Sequence, residues 1–103
     1  MAYHLTRDAD ADLDEIWWYI AEESGVPEVA QRLVEGITER FDTLSSHPYM
    51  GRARPDIRIG LRSHRVGSYL ILYRVIEPDV LILRVLHGRR DIGSLFTSAD
   101  DDL

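Results

Sequence analysis

The apolar positions of this chain follow two different periods, and the switch between them separates a helical half from a strand half. Ala9, Leu13, Ile16, Trp17 and Ile20 recur at steps of three and four, with Asp8, Asp12, Glu15 and Glu22 off that stripe. The spacing predicts an amphipathic helix from about Arg7 to Glu23. Acidic residues at its start suit the positive end of the helix dipole, and Gly25 supplies a stop. Pro27 fits the first turn of a second helix, whose stripe is Ala30, Leu33, Val34, Ile37, Phe41 and Leu44, running to about Ser46 before His47-Pro48 ends it. So short a connection forces the two helices into an antiparallel hairpin. Ahead of them, Ala2 to Thr6 is a candidate short strand.

Tyr49 to Asp56, with Gly51 and Pro55, reads as a loop, and beyond it the period falls to two. Ile57–Val66, Tyr69–Ile76 and Val80–His87 are rich in β-branched and aromatic residues and are separated by Gly67-Ser68 and Glu77-Pro78-Asp79, which predicts three consecutive antiparallel strands. The order β-α-α-β-β-β predicts an α+β fold, a helical hairpin packed on one face of an antiparallel sheet. One domain is expected over residues 1–96, followed by an acidic tail over residues 97–103.

A three-residue turn at Glu77–Asp79 pairs Ile76 with Val80 and sorts the last two strands into faces. Ile71, Tyr73, Val75, Leu81, Leu83 and Val85 form one face, uninterrupted and suited to receive the helices. Leu70, Leu72, Arg74, Ile76, Val80, Ile82, Arg84 and Leu86 form the other. With no further helix to cover it, this second face is expected to stay open and to dock a partner; replacing Leu72 and Ile82 together by aspartate should then weaken that docking. The alternative is that the C-terminal segment folds back over it through Ile92, Leu95 and Phe96. A one-residue slip of register would invert the faces. Trp18, close to opposite the stripe of the first helix, is expected at the surface, either as a partner's anchor or as an isolated exposed aromatic.

With 103 residues, 45% hydrophobic and 29% charged, the chain has the make-up of one globular domain. The absence of cysteine excludes disulfides and thiolate-bound metals, and four scattered histidines offer no ligand spacing, so neither metal nor cofactor is expected. No apolar run approaches the ~20 residues of a membrane span, and the early aspartates are the wrong charge for a signal peptide, so a soluble cytoplasmic protein without membrane contact is expected. The net charge of −6 conceals a division: residues 1–46 carry −8, residues 47–90 carry +6 and residues 91–103 carry −4. All 12 basic residues are arginine. A guanidinium grips carboxylate or phosphate well and transfers protons poorly, which favours binding over catalysis; a genome preferring arginine codons would leave the same bias.

The run from Leu61 to Asp91, LRSHRVGSYLILYRVIEPDVLILRVLHGRRD, resembles the C-terminal half of ParE-type toxins of the RelE/ParE superfamily, and DADADLDEIWWYI and HPYMGRARPDI extend the likeness in the same order. The resemblance implies the β-α-α-β-β-β fold, a ParD-like antitoxin bound in a hetero-oligomer containing an antitoxin dimer, and inhibition of DNA gyrase without catalysis. The uncovered strand face and Trp18 would then supply the antitoxin contacts, Leu70, Leu72, Arg74, Ile82, Arg84, Leu86 and Trp18, and Arg62, His87, Arg89 and Arg90 are the candidate target contacts. The other branch of the superfamily cleaves messenger RNA on the ribosome. By resemblance that branch carries an arginine where this chain has Leu70 and a tyrosine where it has Phe96, together with lysines that are missing here. An endoribonuclease would therefore need substitutes such as His64 and His87, whose imidazoles titrate in the useful range. A DNA-binding or purely structural role is the third reading, disfavoured by overall acidity; no sequence-specific nucleic-acid contact is expected.

Overall fold

A computed structural model describes residues 2–88. Its elements are β1 (Tyr3–Leu5), α1 (Arg7–Ser24), α2 (Pro27–Ser46), β2 (Arg52–Ala53), β3 (Leu61–Val66), β4 (Tyr69–Ile76) and β5 (Asp79–His87). Both helices lie where their apolar stripes place them. Thr6 caps α1: its Oγ1 accepts from the Ala9 amide at 3.0 Å and donates to the Leu83 carbonyl at 2.8 Å, so one side chain starts the helix and ties it to β5. Gly25 ends α1 in the left-handed conformation (φ 69°), and Pro27 opens α2. Among the described residues no helix is long and apolar enough to cross a membrane.

The helical hairpin packs on a five-stranded sheet of order β1-β5-β4-β3-β2. The sheet is mixed, not wholly antiparallel: β1 runs parallel to β5, with Tyr3 opposite Val80 and Leu5 opposite Ile82. Residues 6–78, with both helices and the strands β2, β3 and β4, lie between the two, well beyond the crossover length that a parallel pair requires. β2 is an extra edge strand of two residues, too short to show a period. The strand expected from Ile57 begins only at Leu61, because the Ile57 and Arg58 amides both turn back to the Arg54 carbonyl at 3.1 Å.

The β4–β5 register departs from expectation in half of its length. Ile76 pairs with Asp79, leaving a two-residue turn, so Val75 meets Val80 and Tyr73 meets Ile82. A bulge between Leu72 and Tyr73 then absorbs one residue of β5, and beyond it Leu72 opposes Arg84 and Leu70 opposes Leu86. Between turn and bulge β5 is thus one residue out of the expected phase. Val80 and Ile82 point under the helices with Ile71, Tyr73 and Val85, against Ile37, Phe41 and Leu44. Leu81 and Leu83 join the other face.

Candidate functional site

The face expected to be open is closed. Leu70, Leu72, Leu83 and Leu86 form a second apolar cluster with Leu61, packed against Ile57 and Leu81, and its leucines from 61 to 86 other than Leu81 are all buried. Ile82 is not on this face at all; it lies fully buried beneath the helices. The docking surface expected across Leu70, Leu72, Ile82 and Leu86 is therefore corrected on two counts: the bulge moves Ile82 to the core, and the four side chains have no appreciable surface to offer. Arg74 remains half-buried, its guanidinium lying over Gly60. The alternative cover by Ile92, Leu95 and Phe96 lies outside the described residues, as do Arg89 and Arg90.

Arg84 is also committed elsewhere. Its Nε donates to Asp12 Oδ2 at 2.8 Å and its Nη2 to Asp12 Oδ1 at 3.0 Å, a bidentate pair in which the Asp12 side chain is only 5% exposed. The carboxylate raises the Arg84 pKa above its usual value against the opposing pull of burial. Asp12 Oδ2 also accepts from the Val85 amide at 2.9 Å, so this one side chain closes the outer edge of β5 where β1 has ended. Assigned to the polar side of α1 from its charge, Asp12 in fact shares the face of Ala9, Leu13 and Ile16. Its spacing of three from Ala9 and four from Ile16 carried that signal.

Arg62 is a structural clamp. Its Nη2 donates to the carbonyls of Tyr49 at 3.0 Å and Gly51 at 2.7 Å, and its guanidinium carbon stands 5.3 Å from the centre of the Tyr49 ring. The fully buried Tyr73 completes the arrangement: its hydroxyl donates to the Pro48 carbonyl at 2.7 Å and accepts from the Gly51 amide at 3.0 Å. A Cβ on Gly51 would overlap the Tyr73 hydroxyl and stand 2.9 Å from the Ser63 carbonyl oxygen. Gly51→Ala is accordingly expected to cost about 1–3 kcal/mol through overpacking. A urea midpoint equal to that of the unsubstituted chain would show that the loop has room to yield.

The two histidines considered for catalysis have different surroundings. His64 lies 3.3 Å from Arg40 Nη1, and burial first, then the neighbouring guanidinium, lowers its pKa below the ordinary 6.5. A folded-state pKa depressed below the unfolded one contributes stability that is full above the unfolded value and is lost as pH falls through the folded value. Between pH 7.5 and 5.5, His64→Gln should therefore lose less stability than the unsubstituted chain, as read from paired urea titrations; equal losses would assign the pH dependence to other groups. His87, half-buried at the end of β5, meets the Tyr69 ring edge-on at 5.5 Å.

Trp18 stands where its helical position puts it, on the outer face of α1 and 64% exposed, with Tyr19 beside it at 59%. Two depressions adjoin there. The larger, about 570 Å³, lies between α1 and the β4–β5 ladder, with Ile16, Ile20, Leu33, Tyr69 and Val85 as apolar lining and Asp12 and Glu15 as acidic lining. The smaller is bounded by Asp14, Glu15, Trp18, Tyr19 and Glu22, and Glu15 and Tyr19 belong to both. Among the described residues no three histidine, aspartate or glutamate side chains converge to hold a metal ion.

Residues 3–92 match the family described as ParE toxin of the type II toxin-antitoxin system, parDE. Toxin ParE3 of Caulobacter vibrioides is 39% identical over 89 residues, covering 86% of this chain and 88% of that protein. Toxin ParE1 of Mycobacterium tuberculosis is 37% identical over 91 residues, 87% of this chain and 92% of that protein. Among solved structures, the chromosomal ParDE TA system from P. aeruginosa matches with a TM-score of 0.74 and 30% identity over 84% of this chain and 95% of that one. The toxin-antitoxin complex RelBE2 from Mycobacterium tuberculosis matches with a TM-score of 0.59 and 29% identity over the same shares.

Proposed function

Because the chain belongs to the ParE toxin family of type II toxin-antitoxin systems, we propose that it inhibits DNA gyrase by binding and is silenced by a ParD-like antitoxin. The observation that carries this reading is the match along nearly the whole chain to ParE toxins, joined to the likeness with a ParDE system. The all-arginine basic complement adds physical support, since guanidinium groups grip anionic partners and are poor proton carriers near neutral pH.

The likeness to the RelBE2 complex supports a second reading, ribosome-dependent cleavage of messenger RNA. Induction of the chain without an antitoxin separates the two. Early loss of labelled-thymidine incorporation with a DNA-damage response is the expected outcome; immediate loss of amino-acid incorporation with cut messages would replace gyrase by the ribosome. Purified gyrase supercoiling assays with and without the chain give the same decision in vitro.

A further inference from the structure

We propose that the tight turn at Arg58–Leu61 displays Ile59 as the anchor of a docking surface for a protein partner with an acidic face. The inference deepens the toxin reading and rests on it for one point, that the partner is the toxin's target.

The turn holds one apolar side chain outward. The Leu61 amide donates to the Arg58 carbonyl at 3.2 Å, and Gly60, third of the four residues, has φ 87°. These are the marks of a type II turn, whose third position calls for glycine and whose second, where proline is common, is a corner. Ile59 takes that corner and is 88% exposed, whereas Ile57, two residues earlier, packs on the leucine cluster. One isoleucine fastens the segment and the other faces away from it. The Arg54 carbonyl accepts from the Ile57 and Arg58 amides, and the Arg54 amide donates to the Leu61 carbonyl at 2.8 Å, so the segment is closed on itself before any partner arrives. Binding then costs little further ordering. An aliphatic side chain so exposed adds almost nothing to the fold, and its apolar area turns to advantage only when another surface covers it.

The surroundings set the chemistry of the partner. Gly60 lies beside the Arg74 guanidinium, and Ile76, two residues further along β4 on the face of Arg74, is exposed. The Tyr49 hydroxyl donates to Glu77 at 2.8 Å, which brings a second exposed side chain to the same end of β4. Aromatic and apolar groups set among arginines are the make-up of an interface centre. Arg52, Arg54, Arg58, Arg62 and Arg74 lie on the strands and loop around them. Among the described residues, the carboxylates there are engaged within the chain: Asp56 accepts from Arg54, Glu77 from Tyr49, and Asp79 from the Ala2 amide. Five guanidinium groups against three carboxylates leave a positive field, which recruits an acidic surface and rejects a basic one. A nucleic-acid backbone would match that sign but leave Ile59 and Ile76 in water, and the net charge of −6 opposes it. An acidic protein surface around an apolar hollow satisfies both demands.

The test induces the full chain without an antitoxin and compares growth at matched chain levels. Ile59→Asp and Arg52→Glu should relieve the arrest, while Ile59→Leu should keep it. Val29→Asp, the same kind of change at an exposed aliphatic residue of α2, should also keep it. With purified chains, Ile59→Asp should raise the concentration that half-inhibits gyrase supercoiling about tenfold or more, with an unaltered thermal melt. Full arrest by Ile59→Asp would overturn the docking proposal and leave the toxin reading standing. An unsubstituted chain that arrests nothing would sink the toxin reading and the proposal with it. Arrest without gyrase inhibition would move the target away from gyrase, and the growth comparison alone would then decide the turn. Retardation of a DNA duplex, or self-association in light scattering, that Ile59→Asp abolishes would assign the surface to nucleic acid or to a second copy and overturn the acidic partner.

Discussion

Aspartate at both Leu72 and Ile82 is expected to unfold the protein, whether or not a partner is present. Each side chain is fully buried, Leu72 in the far cluster and Ile82 beneath the helices. Removing a buried leucine or isoleucine costs roughly 2–5 kcal/mol at each site, and forcing a carboxylate into either place adds the cost of its desolvation. Domains of this size hold a total of about 5–15 kcal/mol, so the pair exceeds or exhausts the reserve. Circular dichroism during a thermal scan should show no cooperative transition. A cooperative melt close to that of the unsubstituted chain would mean that at least one of the two side chains reaches water. Trp18→Ala, by contrast, should keep the melt intact, because that ring is 64% exposed.

The same pair of residues marks where the sequence stopped being legible. The helices could be read because each buries one stripe and wets the rest, and their caps are signalled by Thr6, Gly25 and Pro27. β5 has no such contrast. Val80, Leu81, Ile82, Leu83, Val85 and Leu86 are all apolar, and both faces of the strand are covered, so a period of two cannot say which residue faces which side. Register then depends on the turn, and Glu77-Pro78-Asp79 allows a connection of two residues or of three. The expected three-residue turn gives the correct pairing beyond the bulge, Leu70 with Leu86 and Leu72 with Arg84, and a pairing one residue out between bulge and turn. β1 could be read as a short strand within Ala2 to Thr6, but not its parallel place beside β5, and the two-residue β2 shows no period at all; the partners of both are chosen by the tertiary arrangement.

The candidate site was legible where exposure alone decides it. Trp18 follows from its angle on α1, a local property. The arginines do not, because a guanidinium's partner is set by chain folding. Arg62, expected to reach a target, holds the loop of Tyr49 and Gly51, and Arg84, expected beside an open leucine face, holds Asp12. Both assignments treated charge as a surface property, whereas an arginine with a long apolar stem can leave the surface when carbonyls or a carboxylate await its fork. The division of charge along the chain did survive folding in one respect: apart from Asp12, the acidic residues of α1 remain on the outside, and Asp14, Glu15 and Glu22 line the smaller depression beside Trp18.

Asp12→Ala should be the costliest single change on α1, at about 3–5 kcal/mol. It removes both partners of the Arg84 fork and the acceptor of the Val85 amide, leaving a half-buried cation and an orphaned backbone donor. Because the Arg84 side chain retains 24% exposure, water can reach part of the guanidinium, which places the expected value toward the lower end. Adding Arg84→Met should return part of the loss, since the stranded charge is then gone while the Val85 amide still lacks a partner worth roughly 1–3 kcal/mol. Urea titrations of the two single variants and the double variant give the coupling directly. A loss below 1 kcal/mol for Asp12→Ala, with an unchanged denaturant slope, would show that α1 is not pinned to β5 by this pair. The consequence reaches the depression between α1 and the β4–β5 ladder as well, for Asp12 forms part of its wall.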